Sequence, residues 1–99
     1  MYKEEKQNLI EAFNKLSEDR QKQILSFHSI YSVEGLFVKA KSDAKHVINY
    51  ADRKGYGYGE VYYNLDELIK NFTEDVPELE KPYTSLVYAI FEKLTEKNN

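Results

Sequence analysis

The run from Val33 to Ala51 limits what this chain can become more than any other feature. Val33, Leu36, Phe37, Ala40, Ala44, Val47, Ile48 and Ala51 recur at intervals of three and four residues, which places them on one face of a single α-helix. An apolar stripe of that length has to be covered. Stripes of the same period lie on both sides of it in the chain, and no segment alternates apolar and polar residues in the way a half-buried strand does, so the covering surfaces are expected to be other helices.

Leu9, Ile10, Phe13 and Leu16 mark a first helix from about Lys3 to Lys15, with Glu4 and Glu5 in the turn where the helix dipole favours carboxylates. Ser17, followed by Glu18 and Asp19, reads as the N-cap of a second helix whose inner face is Ile24, Leu25, His28 and Tyr31. A helix continuing from Glu18 to Lys54 exceeds ordinary lengths, so a break is expected near Ser32. Ser32 then caps the third helix, Tyr31 and Leu36 take the two places of a hydrophobic staple, and Gly35 and Ser42-Asp43 are its weak points. Arg53, Lys54 and Gly55 supply the cations and the glycine of its C-terminal end.

Gly55-Tyr56-Gly57-Tyr58-Gly59 is expected to form a loop, since glycines so closely spaced cost a helix backbone entropy. Val61, Tyr62 and Tyr63 suit a strand but have no partner segment. Asn64 is expected to open the fourth helix, with Glu67 completing a capping box, Tyr63 and Leu68 a staple, and Leu65, Leu68, Ile69 and Phe72 facing inward. Pro77 and Pro82 bracket room for one helical turn, and a last helix is expected from about Pro82 to Glu96 on Leu86, Val87, Ile90, Phe91 and Leu94. The fold class is therefore all-α: a compact bundle or orthogonal array of about five helices with a Gly/Tyr-rich loop between the third and fourth. Residues 1–99 are read as one helical domain with a frayed 97–99 tail, and its core is expected to include Phe37, Val47, Ile48, Leu68, Ile90 and Phe91.

Composition narrows the chemistry. With no cysteine there are no disulfides, thiolate metal sites or cysteine nucleophiles. His28 and His46 stand apart, and neither belongs to a metal-ligand spacing, so no metal or other cofactor is expected. His28 reads as a hydrogen-bonded histidine at the edge of the core. His46 shares the outward face of its helix with Lys39, Asp43 and Tyr50; an Asp43–His46 pair could orient an imidazole, but no nucleophile accompanies it, and a non-enzyme is expected. No segment is long and apolar enough to span a bilayer, and the amino terminus carries no apolar export stretch, so the expected compartment is the cytoplasm. Heavy use of Lys, Asn, Ile and Tyr fits an AT-rich coding sequence, as in a low-GC bacterium, a phage or a mobile element.

Charge points outward to a partner. The 14 basic residues against 17 acidic ones give a net charge of −3, and Arg20 and Arg53 are the only arginines, which argues against dedicated nucleic-acid binding. Between residues 60 and 80 the imbalance is sharpest: Glu60, Asp66, Glu67, Glu74, Asp75, Glu78 and Glu80 face one base, Lys70. A solvated face with carboxylates at helix amino ends accounts for Asp66, Glu67, Glu74 and Asp75 without any function and is the first reading; the sharper one is an acidic surface that docks onto a basic partner, such as a nucleic-acid-binding protein, by imitating phosphate. Tyr56, Tyr58, Tyr62 and Tyr63, interleaved with glycine, form a second contact candidate, because tyrosine offers large amphipathic area at low entropic cost. The expected partner-binding set is Tyr56, Tyr58, Tyr62, Glu60, Glu74, Asp75 and Glu78. The expected function is a small binding module acting by stoichiometric contact, such as an inhibitor, immunity or mobile-element accessory protein. The alternative is a transcriptional regulator with a helix-turn-helix-like array, touching nucleic acid through Arg53, Lys54 and nearby lysines.

Overall fold

Each of the apolar stripes becomes a helix. The computed structural model describes residues 2–55 and 58–96, without the side chains of Asp52 and Tyr58, and among these residues all regular structure is helical. In chain order the elements are α1 (Lys3–Asn14), α2 (Glu18–Phe27), α3 (Val33–Lys54), α4 (Tyr58–Thr73), a 3-10 turn at Pro77–Leu79, and α5 (Glu80–Thr95). The protein is an all-α bundle of five helices, 43 × 25 × 19 Å along its principal axes.

Helix α5 packs along both α3 and α1, and α4 lies along α3. The core between them takes Leu9 and Phe13 from α1, Leu36, Ala40, Ala44 and Val47 from α3, Leu65, Ile69 and Phe72 from α4, and Tyr83, Leu86, Val87, Ile90 and Phe91 from α5. Of the residues expected in the core, Val47, Ile90 and Phe91 are buried, whereas Phe37, Ile48 and Leu68 are only partly buried against it. They sit at the flanks of their stripes, where the neighbouring helix covers one side and solvent reaches the other.

Helix α2 is the outlier, with Ile24 as its one buried side chain. Ser17 caps it as expected, its Oγ accepting the Arg20 N–H at 3.1 Å. Its C-terminus closes through two backbone bonds, Ile30 N–H to the Leu25 carbonyl at 2.9 Å and Ser29 N–H to the Ser26 carbonyl at 3.2 Å. This is a Schellman motif, and Ser29 occupies its left-handed position with φ 55°. The motif turns the chain before Tyr31 can face inward, so Tyr31 is 98% exposed and neither lines the inner face nor staples to Leu36, contrary to the sequence expectation. Ile30 comes in instead. It passes so close to α3 that a Cβ on Gly35 would stand 2.9 Å from the Ile30 Cβ, which explains a glycine in the first turn of a helix. Helix α3 then runs unbroken through Ser42 to Gly55, which adopts the left-handed conformation at φ 70°.

The largest departure from expectation is the start of α4. It begins at Tyr58 rather than Asn64, so Gly59, Val61, Tyr62 and Tyr63 are helical. The physical reason is the stripe: extending the helix backward adds Val61 to Leu65, Ile69 and Phe72 on the buried face. Burying a valine is worth about 1.5 kcal/mol or more, against a glycine penalty of about 1 kcal/mol. Asn64 is consequently no cap; its Nδ2 donates to the Glu60 carbonyl one turn back, at 2.8 Å. The expectations for Tyr56, Gly57 and the 97–99 tail lie outside the described residues. At the other end, α5 starts at Glu80 and accommodates Pro82 in its first turn, where a backbone N–H is not required.

Candidate functional site

The acidic stretch divides into carboxylates that tie one element of the bundle to another and carboxylates exposed on the outer face of α4. Glu78 belongs to the first group: the Arg20 guanidinium forks onto it, Nε to Oε2 at 2.6 Å and Nη2 to Oε1 at 2.8 Å, and Nη2 also reaches the Asp75 carbonyl at 2.8 Å. The hydrogen bonds from Arg20, with a backbone bond and its charge behind them, hold the Glu78 carboxyl down at about 2. This fork ties α2 to the corner between α4 and α5. Asp66 is likewise engaged, accepting the Tyr88 hydroxyl. Burial first, then the bond and charge of Asp66, push the Tyr88 phenol up to about 12.

The second group lies along α4. Glu60, Glu67 and Glu74 are exposed and recur every seven residues, so they share one outer face at steps of about 10 Å. The Glu74 N–H still bonds the Lys70 carbonyl at 2.9 Å, which keeps Glu74 in register with the helix. Asp75 is exposed beside it. The idea that these carboxylates sit at helix amino ends is corrected: Asp66 and Glu67 are mid-helix, and Glu74 and Asp75 follow the C-terminal end of α4, where the dipole disfavours anions. Glu67 was outside the expected binding set because the heptad spacing of 60, 67 and 74 acquires meaning only once the helix reaches back to Tyr58.

The tyrosines separate in a similar way. Tyr62 turns toward the core, its ring edge-on to Phe91 at 5.4 Å and to Tyr88 at 6.0 Å. It is 36% exposed and seals the junction of α4 with α5. Tyr63, expected in a staple, is instead 65% exposed, with its hydroxyl 3.5 Å from Glu67 Oε1. Tyr58 opens α4, its side chain lying outside the described set, as does all of Tyr56.

Asp43, placed on the outward face by the sequence reading, is 9% exposed. The Tyr83 hydroxyl donates to its Oδ2 at 2.7 Å and Lys39 Nζ stands 3.4 Å away, so the Asp43–His46 pairing is not made. Burial, reinforced by the Asp43 charge, pushes the Tyr83 phenol strongly upward. Around this pair, the Phe72 ring packs at a tilt against Tyr83 at 4.5 Å and against His28 at 4.6 Å, and Lys39 Nζ lies 5.2 Å from the Phe72 ring centre. His28 is at the core edge as expected, but its buried Nε2 has no hydrogen-bond partner. Burial and then the Lys39 charge lower its pKa, while Asp75 opposes them.

His46 faces outward and stacks on Tyr50, the rings 6.4 Å apart and 16° from parallel. The two form one wall of a groove of about 180 Å³ between α3 and α4, whose other lining residues are Val47, Asn64, Glu67 and Leu68. Further round α3, Val38, Lys41, Ser42, Lys45 and Asn49 share an open outer face. No group of His, Asp and Glu among the described residues is arranged to hold a metal ion, and no helix among them is long and apolar enough to cross a membrane. No family model, curated protein or solved structure matches this chain.

Proposed function

We propose that this protein is a small non-catalytic binding module that acts by stoichiometric contact with a basic protein, in the manner of an inhibitor, immunity or mobile-element accessory protein. Its contact surface is the outer stripe of α4, extended by Asp75 at the corner. The observation that carries this reading is the exposure of Glu60, Glu67 and Glu74 at seven-residue spacing along one outer face of α4. Two of the exposed carboxylates, Glu74 and Asp75, stand where the α4 dipole disfavours them, and Asp75 also acts through its charge on Arg20 and His28. A row of like charges steers a partner of opposite sign and fixes its register, and it does so without a deep pocket.

The test is a native pull-down with mass spectrometry, using the wild type and a Glu60→Gln/Glu67→Gln/Glu74→Gln variant. The wild type is expected to enrich one basic protein at low salt and the variant to lose it. Equal recovery by both refutes the reading. A second reading draws on Lys41 and Lys45 on the open face of α3, with Arg53 exposed near its end. Contact of that face with a nucleic-acid backbone predicts a salt-sensitive mobility shift with duplex DNA; so few cations neutralise few phosphates, which makes it the weaker of the two.

A further inference from the structure

Resting on the acidic-surface reading above, we propose that the groove between α3 and α4 is the anchor site for a single arginine side chain of the basic partner. The size of the groove selects the kind of occupant. About 180 Å³ falls short of the roughly 300 Å³ at which small-molecule pockets begin, but suits one long side chain.

Its chemistry selects arginine. The floor is apolar, with Val47 buried and Leu68 half-buried, and matches the methylene stem of a long cationic residue. Glu67 on the α4 side supplies a carboxylate, and Asn64 commits its Nδ2 to the Glu60 carbonyl, which leaves the amide Oδ1 as the acceptor end. The α3 side is an aromatic wall, the near-parallel rings of His46 and Tyr50 with centres 6.4 Å apart. A planar guanidinium can stack on such a wall while its N–H fork meets a carboxylate and an amide oxygen; a lysine ammonium can donate to both oxygens but has no planar face to lay on the rings. The site already contains a rehearsal of the interaction, since Lys54 Nζ lies 5.8 Å from the Tyr50 ring centre. An incoming arginine competes with that internal cation. The position of the groove also fits, because Glu67 belongs both to it and to the acidic stripe, so a partner steered by Glu60 and Glu74 meets it on arrival.

The experiment is an NMR titration of the full chain with N-acetyl-arginine methylamide, with the citrulline analogue as a neutral probe of the same shape. Saturable shifts confined to residues 46–50 and 64–68 are expected, with citrulline weaker by about fivefold or more. Glu67→Gln, an exposed position, should leave the rest of the spectrum unchanged and weaken arginine binding by a similar factor, and Lys54→Gln should tighten it. Arginine and citrulline binding alike, Glu67→Gln binding arginine as the wild type does, or shifts spread over Glu74, Asp75 and Glu80 with the groove unmoved would each overturn the anchor. None of these outcomes alters whether the carboxylate stripe captures a basic protein, so the two readings fail separately.

Discussion

Asp43 in the middle of α3 is 9% exposed and shares its carboxylate with Tyr83 and Lys39, whereas Glu67 in the middle of α4 faces solvent with the Tyr63 hydroxyl 3.5 Å away. Both are carboxylates one would draw on the polar side of an amphipathic helix. What separates them is the neighbouring helix: α5 brings a phenol to Asp43 and closes over it, while Glu67 stands exposed at the open edge of the groove between α3 and α4. The buried acid is therefore part of the bundle's internal bonding and the exposed one is available to a partner. Changes around Asp43 should be read in stability, and changes at Glu67 in binding.

The sharpest contrast is expected from aromatic truncations on the two sides. Phe72→Ala, which removes the ring packed against Tyr83 and His28, should cost about 3–5 kcal/mol in urea unfolding, while Tyr63→Ala on the outer face should stay within about 0.5 kcal/mol. Comparable losses would break the comparison. Next in size is Tyr83→Phe, which removes the closer of the two donors to the buried Asp43 carboxylate, leaving Lys39, and should cost about 1–3 kcal/mol. Replacing both partners, as in Asp43→Leu with Tyr83→Phe, should recover part of that loss; a double variant as unstable as the sum of the single ones would show that the pair does not act as a unit.

Glu78 lies between the two extremes, a carboxylate at the surface but held by the Arg20 fork. Its folded pKa of about 2 lies below the ordinary 4.5, so the unfolded chain takes up the proton first. The stabilisation is thus complete above pH 4.5 and is lost as pH falls toward about 2. Because the pair is partly exposed, Glu78→Gln should cost only about 1 kcal/mol at neutral pH and nothing at the acid end. A difference that persists unchanged down the acid range would remove the fork from the account. The smallest effect is expected at Ser29, whose φ of 55° suits glycine better: Ser29→Gly should raise stability by about 0.5–1 kcal/mol, read as a shift in the denaturation midpoint. A loss would mean the serine hydroxyl contributes more than its backbone costs.

The helices were legible wherever period and punctuation agreed. Ser17 marked the start of α2, and the apolar series from Val33 to Ala51 with Gly55 marked the course and end of α3, because each signal is local. The start of α4 was not, because Gly59 argued locally for a loop while the gain from burying Val61 depends on the rest of the bundle. Asp43 failed for the same reason, since its partner is forty residues away in α5. So did Tyr31, where a Schellman corner completed by a serine rather than a glycine turns the chain early. The acidic character of the 60–80 stretch was plain from composition. Which of its carboxylates are engaged was not, since Arg20 and Tyr88 reach them from α2 and α5.

The central claim is that the outer carboxylates of α4 serve recognition and not the fold. The most direct measurement is the association rate with the captured basic partner across ionic strength, taken for the wild type and for Glu60→Gln/Glu67→Gln/Glu74→Gln, with the melting temperature of each recorded alongside. The wild type should associate fast at low salt and slow steeply as salt rises, and the variant should be slow and nearly flat at an unchanged melting temperature. Identical salt dependence for the two proteins, or a drop in the variant's stability as large as that of Tyr83→Phe, would contradict it.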